Sequence, residues 1–326
     1  SYNLYMTPSM STLLIIVASI ILVQAIKMFI NASSKIARHI GISAYTISFL
    51  VVAIATSLPE VVVGITSALE GNPNLSFGNA IGSNIALLTL VIALPVFFSA
   101  KGISTRTILH SRDAYYSVFF ALLPITLIVD GTLTRVDASI LLITYFFYFV
   151  KVWRRSSQIE HILEQFEGVN IWKEGFFFLL SLVFLLGASE LIVYSASTLS
   201  LGLGWGLTFV GLTVTAIGTS LPEIAFTLGA SRGRYQQEIL GDIVGSIVAN
   251  STFVLGLTAL IHPITITNGE VSFTSLGLFV VIMLVFLRFT RTKEKIDKFE
   301  AAILLMMYFG FIAVEYFLQT SGIKLF

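Results

Sequence analysis

Apolar runs of about 20 residues recur from one end of this 326-residue chain to the other. Each is long enough to cross about 30 Å of hydrocarbon as a helix, and a chain holding so many cannot bury them all in one water-soluble core. Composition agrees, at 56% hydrophobic and 11% charged against roughly 45–50% and 25% in an ordinary soluble domain. The sequence therefore reads as an all-α integral membrane protein. Divided at polar and Gly/Pro punctuation, it gives ten candidate spans, near 10–30, 43–69, 76–100, 112–131, 134–153, 173–198, 205–230, 238–263, 271–290 and 298–319. The opening SYNLYMTPSM lacks the basic n-region and small-residue cleavage site of a signal peptide, so the first run is read as a retained membrane helix.

Charge sets the orientation. Lys and Arg in alternate connections divide 17 to 2, and the richer side is cytoplasmic by the positive-inside rule. Both termini are then outside and the polar loop over 154–172 is in the cytoplasm. That loop divides the chain into five spans and five, with an N-terminal half over 1–155, a hinge over 156–172 and a C-terminal half over 173–326. Five is odd, so the second half enters from the opposite side and the halves are inverted, as in many secondary transporters. A net charge of +1 without any long basic block excludes nucleic acid as a partner. No cysteine is present, which removes disulfides and thiolate metal sites. His39, His110, His161 and His262 are scattered singly, so zinc or Ser-His-Asp chemistry has no constellation. No enzyme activity, resident cofactor or obligatory protein partner is implied; the surroundings are lipid.

An internal repeat carries the chemistry. ATSLPEVVVG at 55–64 matches GTSLPEIAFT at 218–227, and GNAIGSNIA at 78–86 matches GDIVGSIVA at 241–249. Both pairs, and Gly41 with Gly204, are offset by 163 residues, which marks a duplicated unit, over about 43–100 and 205–263. Pro59 and Pro222 lack an N–H and clash with the carbonyl one turn earlier, so each helix breaks or kinks there and frees carbonyls. At membrane depth freed carbonyls are tolerated only where they line a cavity or bind a ligand. An acid follows each proline, Glu60 and Glu223, about 18 residues into its span. An unpaired carboxylate there costs several kcal/mol, at least about 2.5, which makes this pair the leading functional candidate. Thr56 and Ser57 precede Glu60, and Thr219 and Ser220 precede Glu223, at spacings that place hydroxyls on the acid's helix face. The partner helices add Asn79, Ser83 and Asn84, then Asp242, Ser246 and Asn250, beside Gly78, Gly82, Gly241 and Gly245, whose small-xxx-small spacing favours close helix packing. Glu190 and Glu315 are read as structural.

Two carboxylates, hydroxyls and freed carbonyls make an all-oxygen site that prefers a hard cation. Ca2+ suits it best, because it accepts six to eight oxygens at about 2.3–2.6 Å in flexible geometry. Once the ion leaves, two facing carboxylates in low dielectric cannot both stay charged. The emptied site takes up protons or sodium before it crosses, and that makes an antiporter rather than a leak. A hydrolase would need a nucleophile with its base, and no such set is present. A cation channel, the remote alternative, needs a continuous polar path, whereas Leu58, Leu87 and Leu221 crowd the site.

At these residues the sequence resembles the cation/calcium antiporter superfamily, whose inverted α-repeats carry GTSLPE and GN-x-x-GS motifs. The resemblance covers nearly the whole chain and implies the ten-helix sodium/calcium-exchanger-like fold, multi-pass in a prokaryotic cell membrane. It also implies ion ligands at Glu60, Glu223, Thr56, Thr219, Ser57, Ser220, Ser83 and Ser246, with carbonyls from Ala53 and Ala216. One departure matters. Four residues after each GS serine the sodium/calcium branch commonly has Asn or Asp, where this chain has Leu87 and Asn250. Asp242 stands where that family often has Asn, near the start of its span, as an accessory group beside Asn79. With two central glutamates as its charge, the site is expected to exchange Ca2+ for H+; Na+/Ca2+ exchange at the same site is the alternative.

Overall fold

The computed structural model describes residues 7–39, 57–99, 102–105, 113–158, 170–231, 236–266, 273–292 and 294–321. The sequence prediction of a span over 43–69 is met only from Leu58 onward; its first part, with Thr56 and Ala53, lies outside these residues.

The helices follow in order. α1 is Pro8–His39; α2 Leu58–Leu69; α3 Pro73–Ala86, running through a π-turn, π1 (Leu87–Val91), into α4 Ile92–Phe98; α5 Asp113–Leu127; α6 Arg135–Gln158; and α7 Ile171–Leu203. Then come α8 Leu207–Val210, π2 Gly211–Thr215 and α9 Ala216–Thr219; α10 Leu221–Ser231; α11 Gln236–Val248, π3 Ala249–Val254 and α12 Leu255–Ile261; α13 Phe273–Thr292; and α14 Lys298–Ser321. Seven described helices are long and apolar enough to cross a membrane, and Leu58–Leu69 and Val118–Asp130 are shorter apolar ones.

The offset of 163 extends from sequence to structure. Shifted by it, α6 falls on α14 end for end, α2 on α10 and π1 on π3 to within a residue, and α1 on α7. Even a turn repeats: Gly131 (φ 87°) corresponds to Glu294, the described non-glycine residue with positive φ (51°). Two short antiparallel ladders join the halves, β1 (Ile103–Ser104) to β4 (Lys295–Ile296) and β2 (Thr132–Leu133) to β3 (Ile264–Thr265).

Each π-turn holds a threonine that bonds back along its own helix. Thr89 donates to the Ile85 carbonyl (2.5 Å), Thr213 to Phe209 (2.6 Å) and Thr252 to Val248 (2.6 Å). In each, the hydroxyl takes the carbonyl four residues back and competes with the backbone N–H for it. Thr89 and Thr252 are themselves 163 residues apart. π-turns are rare and gather at functional sites.

Packing sets the depth of the site. α3 is buried on every face except at Asn74, which marks a core helix. Its glycines meet backbone: a Cβ on Gly78 would lie 2.5 Å from the Thr208 carbonyl oxygen, and one on Gly82 2.3 Å from that of Leu212. Gly211 answers from the other side, 2.5 Å from the Leu75 oxygen. The small-xxx-small spacing therefore works here as close helix packing. α1 and α7 run antiparallel along a seam of small buried residues every seven positions, Ser11, Ala18, Ala25 and Ala32 against Ser181, Ala188 and Ser195. Leu22 and Phe29 interleave with Leu185 and Ile192, and the Phe29 and Phe178 rings lie 4.9 Å apart.

Candidate cation site at the meeting of the two repeats

The SLPE motif of the second copy sits where one helix stops and another starts. α9 ends at Thr219 and α10 begins at Leu221, with Pro222 in its first turn, where a missing N–H costs nothing. α2 likewise starts at Leu58 with Pro59. The ladder resumes through Val61 N–H to the Ser57 carbonyl and Ile224 N–H to the Ser220 carbonyl, both 3.1 Å. Ser57 and Ser220, which flank these starts, leave their hydroxyls buried and without a hydrogen-bond partner, although a serine there ordinarily caps the helix.

Glu60 and Glu223 are each 1% exposed. Glu60 faces the hydroxyls of Ser83, on α3, and Thr219, at the end of α9, so residues of both copies surround it. Neither Glu60 oxygen makes a hydrogen bond, nor does Glu223 Oε2. The carboxylates of Glu60, Glu223 and Asp242 lie within electrostatic reach of one another. No Lys, Arg or His is buried among the described residues, so none of those balances Glu60 and Glu223.

Thr219 is the hub. Its hydroxyl donates toward Asn79 Oδ1 (3.1 Å), lies 3.4 Å from the Ala216 carbonyl oxygen and 3.2 Å from Ser83 Oγ. One hydroxyl proton cannot serve both acceptors, so an amide or carbonyl oxygen keeps a lone pair open. The Ala216 carbonyl also accepts the Ser220 N–H (3.0 Å), which modifies the expectation of a freed carbonyl: here it stays within the helical ladder. Asn250 is buried in π3 with neither side-chain atom bonded, and Asn79 keeps an unbonded amide nitrogen. Ser246 and Asp242 are buried on α11. Thr56 and Ala53 lie outside the described residues.

Buried polar groups are nearly always paired, and leaving one unpaired costs about 1–3 kcal/mol, more for a charge. Several orphaned oxygens around two carboxylates therefore suit a cation. Among the described residues no three of His, Cys, Asp and Glu are grouped closely enough to hold a metal, and Asp242 lies within electrostatic reach of the pair. Sequence reasoning missed one polar contact next to the site, Asn84 Nδ2 donating to Ser251 Oγ at 2.8 Å, because a search for identical repeated residues passes over it: the counterparts are Ile247 and Leu88. Thr215, buried with an unbonded hydroxyl in π2, was missed too, having no motif to flag it. Glu315 fits its structural reading, accepting from Ser275 at 2.5 Å.

Comparison with known proteins agrees with this architecture. The family profile described as sodium/calcium exchanger protein matches residues 10–154 and 174–317, one stretch in each half. A protein of Alkalimonas amylolytica that carries the antiporter name CaxA is 30% identical over 323 residues, covering 95% of this chain and 99% of that one. The sodium/calcium exchanger MaX1 of Methanosarcina acetivorans is 26% identical, over 94% and 98%. The solved structure of the sodium-calcium exchanger NCX_Mj, soaked with 10 mM Na+ and 10 mM Sr2+, superposes with a TM-score of 0.67 at 25% identity, over 93% of this chain and 97% of that one. These relatives are exchangers rather than enzymes. The chain is a multi-pass membrane antiporter of the cation/calcium superfamily, and it belongs to the sodium/calcium exchanger protein family.

Proposed function

We propose that this antiporter moves Ca2+ across the membrane in exchange for H+, by alternating access at one site shared by Glu60 and Glu223. The observation that carries this reading is the pair itself: two buried carboxylates from matching repeat positions, with orphaned oxygens and, among the described residues, no buried basic side chain to neutralise them. The ligand set is Glu60, Glu223, Thr56, Thr219, Ser57, Ser220, Ser83, Ser246 and Asn250, with the carbonyls of Ala53 and Ala216. Asn79 and Asp242 are accessory.

Ca2+ cancels the two charges, and two protons cancel them equally. An emptied site carrying neither holds uncompensated charge in low dielectric and does not cross. The halves are five-span units inverted in the membrane, with both termini outside and the 154–172 loop in the cytoplasm. The equivalence of the helices at an offset of 163 residues supports that arrangement, as does the 17 to 2 division of basic residues. Inverted halves can exchange conformations, and the exchange turns the site from one side to the other.

Na+/Ca2+ exchange at the same site is the second reading, favoured by the names of MaX1 and NCX_Mj. Proteoliposomes loaded under an imposed pH gradient and, separately, an imposed Na+ gradient separate the two. The pH gradient alone is expected to drive 45Ca2+ uptake, and acidification of the site's open side is expected to weaken Ca2+ affinity, because protons compete for the same carboxylates. Uptake that follows only the Na+ gradient would replace H+ with Na+, and uptake indifferent to both would indicate a channel.

A further inference from the structure

Away from the carboxylate pair, a cavity of about 540 Å3 opens between α1 and α7, lined by Gln24, Lys27, Asn31 and Lys35 from α1 and by Lys173 and Glu174 from α7, with Met28 and Phe177 at its wall. The α1 residues recur at three- and four-residue steps and so share one helix face. From Gln24 to Lys35 that face is about 16 Å long. It straddles a boundary: the apolar span of α1 ends at Phe29, and that of α7 starts at Ile171. Because the helices are antiparallel, the polar end of α1 lies beside the first turn of α7. Lys35 bonds Glu174 at 3.0 Å, which fixes the two helices at this end and uses the groove's one acid. Lys27 and Lys173 remain, both exposed, and the positive end of the α7 dipole points the same way.

We propose that this groove binds the phosphate headgroup of an anionic phospholipid from the adjoining leaflet, with Lys27 and Lys173 holding the phosphate, Asn31 and Gln24 offering hydrogen bonds, and acyl chains lying along the apolar face of α1. Basic pockets between membrane helices at the cytoplasmic boundary are suited to such headgroups. The groove has an excess of positive charge, a polar rim and a hydrocarbon-facing wall at one depth, which a soluble anion would not need. This end of α1 carries part of the basic excess that assigns the cytoplasmic side. The proposal concerns binding alone, so it stands or falls separately from the transported ions.

Trp172, 87% exposed and next to Lys173, is a built-in reporter. In the full chain with Trp153→Phe and Trp205→Phe, reconstituted in phosphatidylcholine vesicles, brominated phosphatidylglycerol is expected to quench Trp172 at lower mole fraction than brominated phosphatidylcholine does. Lys27→Gln with Lys173→Gln is expected to reduce that preference by at least about fivefold. Lys27→Arg with Lys173→Arg should retain it, as should Lys295→Gln, which removes a lysine of the β4 turn. Equal quenching by the two lipids, or a preference that survives the double Gln change, would overturn the proposal. Loss of the preference in excess soluble glycerol phosphate would overturn the lipid in favour of a soluble phosphate ligand.

Discussion

In the first copy of the repeat the π-turn begins with Leu87 and Leu88; in the second the matching residues are Asn250 and Ser251. The reverse holds one turn earlier, where Asn84 corresponds to Ile247. Over the described stretches the two copies thus share a backbone, each with a threonine in its π-turn, and differ in which helix presents a polar group. Two polar pairs tie α3 to the second copy, Asn84 to Ser251 at 2.8 Å and Ser76 to Thr258 at 2.7 Å. The residues related to them by the repeat are Ile247 with Leu88, and Ile239 with Pro95. One of the two repeat-related seams beside the site is therefore polar and its counterpart apolar. If the halves exchange roles as proposed, this side-chain asymmetry would make the exchanged states unequal in energy.

The strongest way to break the comparison is to remove what the copies hold in common. Glu60→Gln and Glu223→Gln keep shape and remove one charge each, and either is expected to reduce gradient-driven Ca2+ flux at least about 100-fold, roughly 2.7 kcal/mol in transition-state terms. Both variants should remain folded, because they remove a buried charge. Near-normal flux from either would mean that the copies do not contribute equally.

Of similar size is the effect at the crossing where the copies touch. Gly82→Ala places a Cβ against the Leu212 carbonyl, and is expected to destabilise the protein by about 3 kcal/mol or more. Gly187→Ala, with nothing within 4 Å of the added atom, is expected to gain up to about 1 kcal/mol of helix propensity. Thermal unfolding in detergent compares them, and equal midpoints would contradict the close backbone approach.

The asymmetry itself can be edited. Asn84→Ile alone orphans Ser251, and Ser251→Leu alone orphans Asn84, each at about 1–3 kcal/mol. Together they install the residues of the other seam, and the double variant is expected to recover part of the loss, measured as a coupling in a double-mutant cycle. Additive losses would show that the pair is not a unit.

The smallest expected effect concerns ion choice. Asn250→Asp, alone or with Leu87→Asn, returns charge and an oxygen ligand to the π-turns, and should increase any Na+-driven component of Ca2+ flux by a few-fold. An unchanged Na+ response would remove these positions from coupling.

What the sequence disclosed followed the same division. SLPE and the GS serines were legible because both copies keep them and proline has a known backbone consequence. Glu60 and Glu223 stand out in the sequence for the same reason. The π-turns were not, since a threonine bonding four residues back leaves hydropathy unchanged. The ends of α1 and α7 ran past the apolar spans, because polar residues such as Asn31 and Lys35 continue a helix without continuing hydrophobicity. The two-residue ladders are too short to give a period of two. Asn84 with Ser251 escaped because the polar contact is made between non-matching residues, which a search for repetition discards.

The central claim is that one glutamate from each copy completes a single Ca2+ site. Equilibrium 45Ca2+ binding to the purified protein, counted per chain for the unmodified protein, Glu60→Gln and Glu223→Gln, tests it most directly. One high-affinity Ca2+ per unmodified chain is expected, and its loss in both variants. Two ions per chain, with each variant retaining one, would mean two separate sites and contradict it.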